Sequence, residues 1–253
     1  MDKNFNQGCV LVIGGSGGIG SHCVQEFSNE GAKVVFTYFK NKTKADEIEE
    51  KYPGVSSYQL DNSNNQQVKE TIEKIAQDNG GINTLINAAG FDIPQKLISE
   101  IDLDLWKKVI DDDINGFFNL VSCTLPELRK TKGSIVFISS AGLFKYPPGD
   151  ILSVAPKATI EHFIKGIAKE EGVNGVRANS IALGIINTGI FQRLLAEENT
   201  FFDDAWHEAV MNTLAIKRFG DPNEISALAL FLSSSKSGYI TGHSIPADGG
   251  YHL

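Results

Sequence analysis

The run Val10-Leu11-Val12-Ile13-Gly14-Gly15-Ser16-Gly17-Gly18-Ile19-Gly20 decides the fold. Four apolar strand-formers give way to a glycine cluster, and a helical pattern follows over residues 19–29. Glycine lets the chain turn tightly there and lets the backbone approach a pyrophosphate, which then sits on the positive end of the helix. A flexible glycine turn has the same composition, but this cluster directly follows a strand and opens a helix. Gly14, Ser16, Gly18, Ile19 and Gly20 are therefore expected to contact nucleotide phosphates.

Working outward, short apolar runs at 34–38, 85–86, 135–138 and 176–182 read as strands, and residues 68–77, 105–129 and 158–171 read as amphipathic helices. This alternation calls for an α/β, doubly wound parallel sheet with helices on both faces and ligands beyond the carboxyl ends of the strands. With 253 residues, no linker and no repeat, residues 1–253 read as one domain. A net charge of −8 argues against a nucleic-acid surface. No apolar run reaches membrane-spanning length and no signal core follows Met1, so a cytoplasmic protein is expected. Cys9, Cys23 and Cys123 form no Cys-x-x-Cys pair and read as small buried thiols, and the five histidines show no metal-ligand spacing.

The glycine loop, as Gly14, Gly18 and Gly20, resembles the Gly-x-x-x-Gly-x-Gly of the short-chain dehydrogenase/reductase family, with Ile13 where Thr is common. Further motifs follow in family order. Leu60-Asp61 is similar to the acidic residue that contacts adenine, and Asn87-Ala88-Ala89-Gly90 to the Asn-Asn-Ala-Gly strand end. Arg177 to Ser180, Leu183-Gly184 and Asn187-Thr188 resemble the stretch framing the nicotinamide; Arg218-Phe219-Gly220, Thr241-Gly242 and Asp248-Gly249-Gly250 complete the match. The resemblance implies a Rossmann-type fold, a nicotinamide cofactor held by Asp61, Asn87, Ala89, Gly90, Lys157, Gly184 and Thr188, and a small, largely apolar carbonyl or activated C=C substrate. It also implies a homo-oligomer, tetramer or dimer, built partly from residues 239–253.

The end of the second strand bears on which nicotinamide cofactor is used. A carboxylate there would bind the ribose hydroxyls of NAD(H) and repel the 2′-phosphate of NADP(H). This chain has Tyr38, then Lys40, Lys42 and Lys44, so NADP(H) is preferred and NAD(H) stays open, since a solvated basic turn has the same lysines. Gly17 weakens the case, because a basic residue often stands there in NADP-dependent members.

The family's machinery is a Ser orienting a carbonyl, a Tyr exchanging the proton, a Lys four residues on, and an Asn supporting a relay. Ser140 and Lys157 match. Counting from Trp106, the Asn position is Asp113, with Asn115 two residues on; the Tyr position is Ser153. An aliphatic hydroxyl is far too weak an acid to replace a phenol of pKa about 10, so Ser153 reads better as an N-cap with Pro156 in the first turn. Tyr146 and Asp150, in the loop between, are alternative proton donors, though a loop aromatic and a turn residue would look the same. Asp113 with Asp248 and a missing Tyr also resembles the 2,4-dienoyl-CoA reductases, although Asp-Gly-Gly is common and a structural C-terminal turn accounts for Asp248 equally well.

Residues 187–217 read as a substrate lid that mixes Phe191, Leu194, Leu195, Phe201, Phe202, Trp206 and Met211 with Glu197, Glu198, Asp203 and Asp204. Two readings remain: an oxidoreductase with a rebuilt proton donor, and a cofactor-binding homologue without redox activity that serves as a partner or regulator or runs another reaction.

Overall fold

Strand β1 (Cys9–Ile13) is buried along its whole length, because Leu11 and Ile13 point to one face of the sheet and Val10 and Val12 to the other, and both faces are covered. The computed structural model describes Phe5 and residues 7–90, 92–196 and 203–253. β2 (Val34–Tyr38), β3 (Ser56–Gln59), β4 (Ile82–Asn87), β5 (Ser134–Ser140), β6 (Arg177–Leu183) and β7 (Ser244–Ala247) join β1 in one parallel sheet ordered β3-β2-β1-β4-β5-β6-β7. The expected doubly wound α/β architecture is thus the observed one.

One face is packed by α3 (Asn65–Asn79), α5 (Gly116–Thr131) and α6 (Ile151–Glu171) through Ile72, Leu120 and Ile164. The other is packed by α1 (Gly18–Asn29), α2 (Lys42–Lys51) and α9 (Pro222–Ser233) through Phe27, Ile48 and Leu232. The strand order reverses between the parallel neighbours β1 and β4, whose ends meet at Ile13 and Asn87. That crevice is where such sheets bind ligands.

Three local expectations are corrected. Residues 105–129 are two helices, α4 (Leu103–Ile110) and α5, joined by the π-helical turn Asp111–Asn115. The wider turn spreads three successive carboxylates, and such insertions occur often at functional sites. Helix α6 starts at Ile151, seven residues before the expected 158, because its buried face of Leu152, Val154 and Ile160 outweighs Pro156. Pro156 is therefore the sixth helical residue, where its ring removes the N–H that would reach the Leu152 carbonyl. Cys9 and Cys23 are buried, and burial pushes both thiols up to about 12, whereas Cys123 is only half-buried.

Of the lid, α7 (Gly189–Ala196) and α8 (Asp204–Thr213) are helical. Phe191 meets Phe219 edge-on at 4.9 Å and Trp206 at 6.0 Å, Leu194 is buried, Leu195 is exposed, Met211 is half-buried, and Asp203 caps α8 through Trp206 N–H at 2.7 Å. Arg193 ties α7 to the loop after β4 through Asp92 at 2.6 Å and the Ile93 carbonyl at 3.1 Å. Glu197, Glu198, Phe201 and Phe202 lie outside the described residues.

Candidate cofactor cleft and active site

Each glycine of the first turn has its own reason. Gly14 has φ +74°, donates its N–H to Thr37 Oγ1 at 3.2 Å, and would bring a Cβ within 2.9 Å of Ala89 Cα. Gly20 faces the Gly14 carbonyl so closely that no side chain fits. A Cβ on Gly18 would lie 2.7 Å from Gly189 N and 2.8 Å from Thr188 Oγ1, so the start of α7 sits on the start of α1. Gly17, Gly18 and the half-buried Ser16 and Ile19 thus place the unpaired N–H groups of α1 under Thr188, with no acidic side chain in the first turn to oppose an anion.

Beside this turn a cleft of about 710 Å³ runs along the ends of β2, β4 and β5. Phe39 and Lys40, Asp61 and Asn62, Asn87, Ala89 and Gly90, Asp111 to Asp113, and Lys157 line it. Asp61 Oδ1 accepts hydrogen bonds from Ser63 N–H at 3.0 Å and Ser63 Oγ at 2.7 Å, which fixes the carboxylate at the rim. Asn87 Oδ1 accepts from Ala89 N–H at 3.1 Å, shaping the strand end so that a Cβ on Gly90 would meet nothing within 4 Å. The Asn62 side-chain oxygen is buried with no partner among the described residues. An open cradle at Gly90, an orphaned acceptor at Asn62 and cations at Lys40 and Lys157 fit a dinucleotide with an adenine amino group and phosphates.

Tyr38, expected at the cofactor, is instead packed in the core with 9% exposure, because strand alternation turns it to the α1 and α2 side. Phe39 and Lys40, next along the chain, take the cleft position, with Lys40 Nζ 5.1 Å from the Phe39 ring centre. Lys42 and Lys44 are engaged along α2 with Asp46 at 2.7 Å and Glu47 at 3.0 Å.

Asp113 stands on the cleft wall within the π turn, whereas Asn115 is exposed and donates back to Asp111 Oδ1 at 2.8 Å. Asp112, unremarked in the sequence, has its carboxyl pushed up by burial and then by the charge of Asp61, against the pull of Lys108.

At the end of β5, Ser140 Oγ accepts from Gly142 N–H at 3.0 Å. Ser153 is not an N-cap. Asp150 holds that position, and Ser153 is the third residue of α6, with its hydroxyl accepting from Lys157 Nζ at 3.2 Å. Tyr146 is 46% exposed and, like Ser140, Asp150 and Ser153, does not line the cleft, whereas Lys157 does. Asp150 is half-buried; its Oδ1 accepts from Gln95 Nε2 at 3.3 Å, and burial pushes its carboxyl up while Gln95 and Lys157 oppose. Gln95 carries no motif or periodicity and was invisible in the sequence.

A Cβ on Gly184 would lie 2.6 Å from Asp248 Cα, so the Asp-Gly-Gly turn packs against the end of β6. Asp248 spends its carboxylate on that turn, accepting from Gly250 N–H at 3.0 Å and His252 N–H at 3.1 Å, and lies 2.7 Å from His252 Nδ1. Among the described residues no helix is long and apolar enough to cross a membrane.

A family model described as Enoyl-(Acyl carrier protein) reductase matches residues 14–252. The 3-oxoacyl-(acyl-carrier-protein) reductase FabG of Thermotoga maritima is 32% identical over 244 residues, covering 95% of this chain and 96% of that one. A short-chain dehydrogenase/reductase from Serratia marcescens shares the fold with a TM-score of 0.86 at 24% identity, over 98% of this chain and 99% of that one. A blue fluorescent protein from a metagenomic library, solved in complex with NADPH, superposes with a TM-score of 0.84 at 25% identity, over 99% of this chain and all of that one. The motifs, the sheet order and these relatives agree, and the chain belongs to the short-chain dehydrogenase/reductase family of oxidoreductases.

Proposed function

We propose that this chain is an NADP(H)-dependent reductase of a carbonyl substrate, with a 3-oxoacyl thioester as the first class to test, and that its proton comes from a group other than the Tyr of Tyr-x-x-x-Lys. The observation carrying the reading is one cleft that gathers Lys40, Asp61, Asn62, Asn87, Gly90 and Lys157 at the strand ends. Names of relatives support the substrate class. When bound, the nicotinamide ring supplies or removes a hydride at the substrate carbon.

The chain's own residues divide the remaining work. Asp61 and Asn62 recognise the adenine end, and the N–H groups opening α1 hold the pyrophosphate. Lys40, on the cleft wall while Lys42 and Lys44 are paired along α2, meets the 2′-phosphate and favours NADP(H) over NAD(H). Lys157 holds the nicotinamide ribose, steadied by Ser153, and Ser140 orients the carbonyl. Asp248 is committed to its turn, and the curated relatives are named for ketoacyl rather than dienoyl reduction, so the dienoyl-CoA reading gains no support, while an enoyl thioester stays in view through the description of the family model. The family's homo-oligomer remains part of the proposal, to be checked by sedimentation.

A panel of ketones and 3-oxoacyl thioesters, with NADPH oxidation followed spectroscopically, tests this. Turnover of one class with NADPH preferred over NADH is expected. One observation favours the second reading, a cofactor-binding homologue without redox activity: Ser153 stands four residues before Lys157 and takes its hydrogen bond. Tight NADPH binding with no turnover across the panel would establish that reading instead.

A further inference from the structure

Resting on the reductase reading above, we propose that Asp150 is the acid of this site, giving a proton to the substrate oxygen in reduction and recovering it in oxidation. Asp150, Ser153 and Lys157 stand at i, i+3 and i+7, a spacing that lines them up on one face of α6. Lys157 Nζ, on the cleft wall, already donates to Ser153 Oγ at 3.2 Å, so the stripe runs from ammonium to hydroxyl toward the carboxyl at the start of the helix. The Asp150 backbone carbonyl accepts the first helical bonds, from Ser153 N–H at 3.0 Å and Val154 N–H at 2.9 Å, which fixes the residue in place.

Its side chain is not spent on the helix. Asp102, Asp203 and Asp221 cap their helices through the carboxylate, but Asp150 makes no such bond and turns toward Gln95. The loop after β4 is pinned to this one where Lys96 N–H donates to the Gly149 carbonyl at 3.2 Å, so Gln95 is held at the carboxyl. The groups facing Asp150 are Lys157 from α6, Gln95 from the loop after β4, and Tyr251 from the C-terminal turn, whose phenol is pushed up by burial and then by the Asp150 charge. Lys145 lies over the Tyr251 ring at 5.2 Å. Burial outweighs the opposing groups, and the Asp150 carboxyl holds its proton to higher pH than an ordinary carboxylate.

The step balances. The carbonyl carbon gains a hydride, with its two electrons, from the reduced nicotinamide dinucleotide, which is oxidised; the C=O π bond breaks and its electron pair goes to oxygen. That oxygen takes the Asp150 proton, so the carboxyl O–H breaks as the alcohol O–H forms, and solvent reprotonates the carboxylate. The reduction rate falls as pH rises through the Asp150 pKa, and oxidation rises over the same range.

The test uses the full chain. Carboxyl-carbon NMR of aspartate-labelled, ligand-free protein, with Asp150→Asn to assign the resonance, should show Asp150 titrating above the ordinary value of about 3.9. With NADPH and a reducible substrate from the panel, Asp150→Asn should lose at least about 100-fold in kcat while its NADPH affinity holds, and Asp150→Glu should keep part of the rate with a displaced pH break. An Asp150 titrating at or below the ordinary value, or an Asp150→Asn enzyme with unchanged rate and pH profile, overturns the proposal and leaves the reductase reading standing. A loss confined to Tyr146→Phe does the same. Absence of turnover by the unmodified chain overturns both.

Discussion

Two glycines, one crowded and one open, separate a steric effect on the fold from a steric effect on the ligand. In Gly18→Ala the new Cβ would lie 2.7 Å from Gly189 N, about 0.7 Å inside the 3.4 Å at which ordinary contact begins. The obstacle is backbone, so Thr188 and Gly189 must lift. Overpacking of this kind costs about 1–3 kcal/mol, and the better helix propensity of Ala offsets up to about 1 kcal/mol. A net loss of about 1–2 kcal/mol lowers Tm by about 2–8 °C in a chain of this length. In Gly90→Ala the Cβ meets nothing within 4 Å and the backbone is not left-handed, so Tm should hold or rise by about 1–4 °C as the unfolded chain loses freedom. The same methyl projects into the cleft, where it should weaken NADPH by about 1–3 kcal/mol, or about 5- to 150-fold. Thermal melts beside NADPH fluorescence titrations read both quantities. A Gly90→Ala protein with unchanged Tm and unchanged affinity would refute the assignment of this cleft to the cofactor.

Other outcomes follow from named contacts. Lys40→Ala should weaken NADPH about tenfold and NADH less than about threefold, with the difference shrinking at high salt; equal losses would remove Lys40 from the 2′-phosphate. In an Asp150→Asn background, Ser153→Tyr should restore about 100-fold in ketone reduction by putting a phenol beside Lys157; a folded, NADPH-binding double variant with no gain would show that a phenol there does not reach the substrate. Glu171 links α6 to α5 through Arg129 at 2.6 and 2.7 Å and Asn174 at 2.9 Å, and the Arg129 hydrogen bonds hold its carboxyl down at about 2. Because the folded state favours the carboxylate, the contribution is complete above about pH 4.5 and is lost as pH falls toward about 2. Arg129 is half exposed, so solvent screening discounts the pair, and the small Tm gap to Glu171→Gln should close on acidification.

The strands that were legible are those buried on both faces, since β1, β2 and β5 must be apolar throughout. β3 and β7 have only four residues each and are partly exposed at the two edges of the sheet, so no apolar run marks them. β4 showed only its Leu85-Ile86 centre because Asn83, Thr84 and Asn87 are polar yet buried, Asn83 Nδ2 donating to the Gln7 carbonyl at 2.7 Å. α2 escaped because a helix burying only Ala45 and Ile48 has too narrow an apolar stripe to read.

The site divides along a similar physical line. Gly14, Asp61, Asn87 and Lys157 are marked by backbone geometry or one fixed charge, which a motif records directly. Tyr38 and Ser153 failed because their roles depend on which way a side chain faces: strand alternation sent Tyr38 to the core and left Phe39 and Lys40, past the strand end, at the cleft, and an earlier helix start turned Ser153 from cap to partner of Lys157. That same earlier start changes the question of the missing phenol. With Ser153 as the cap, a helix beginning at residue 154 would leave residues 150 to 152 as loop, in no fixed relation to Lys157. A helix beginning at Ile151 places Asp150 one turn before Ser153 on the Lys157 face, and Gln95 holds its carboxyl from the neighbouring loop. The role proposed for Asp150 rests on that start: the group whose carboxyl burial pushes up stands one turn before Ser153, at the beginning of the helix that carries Lys157.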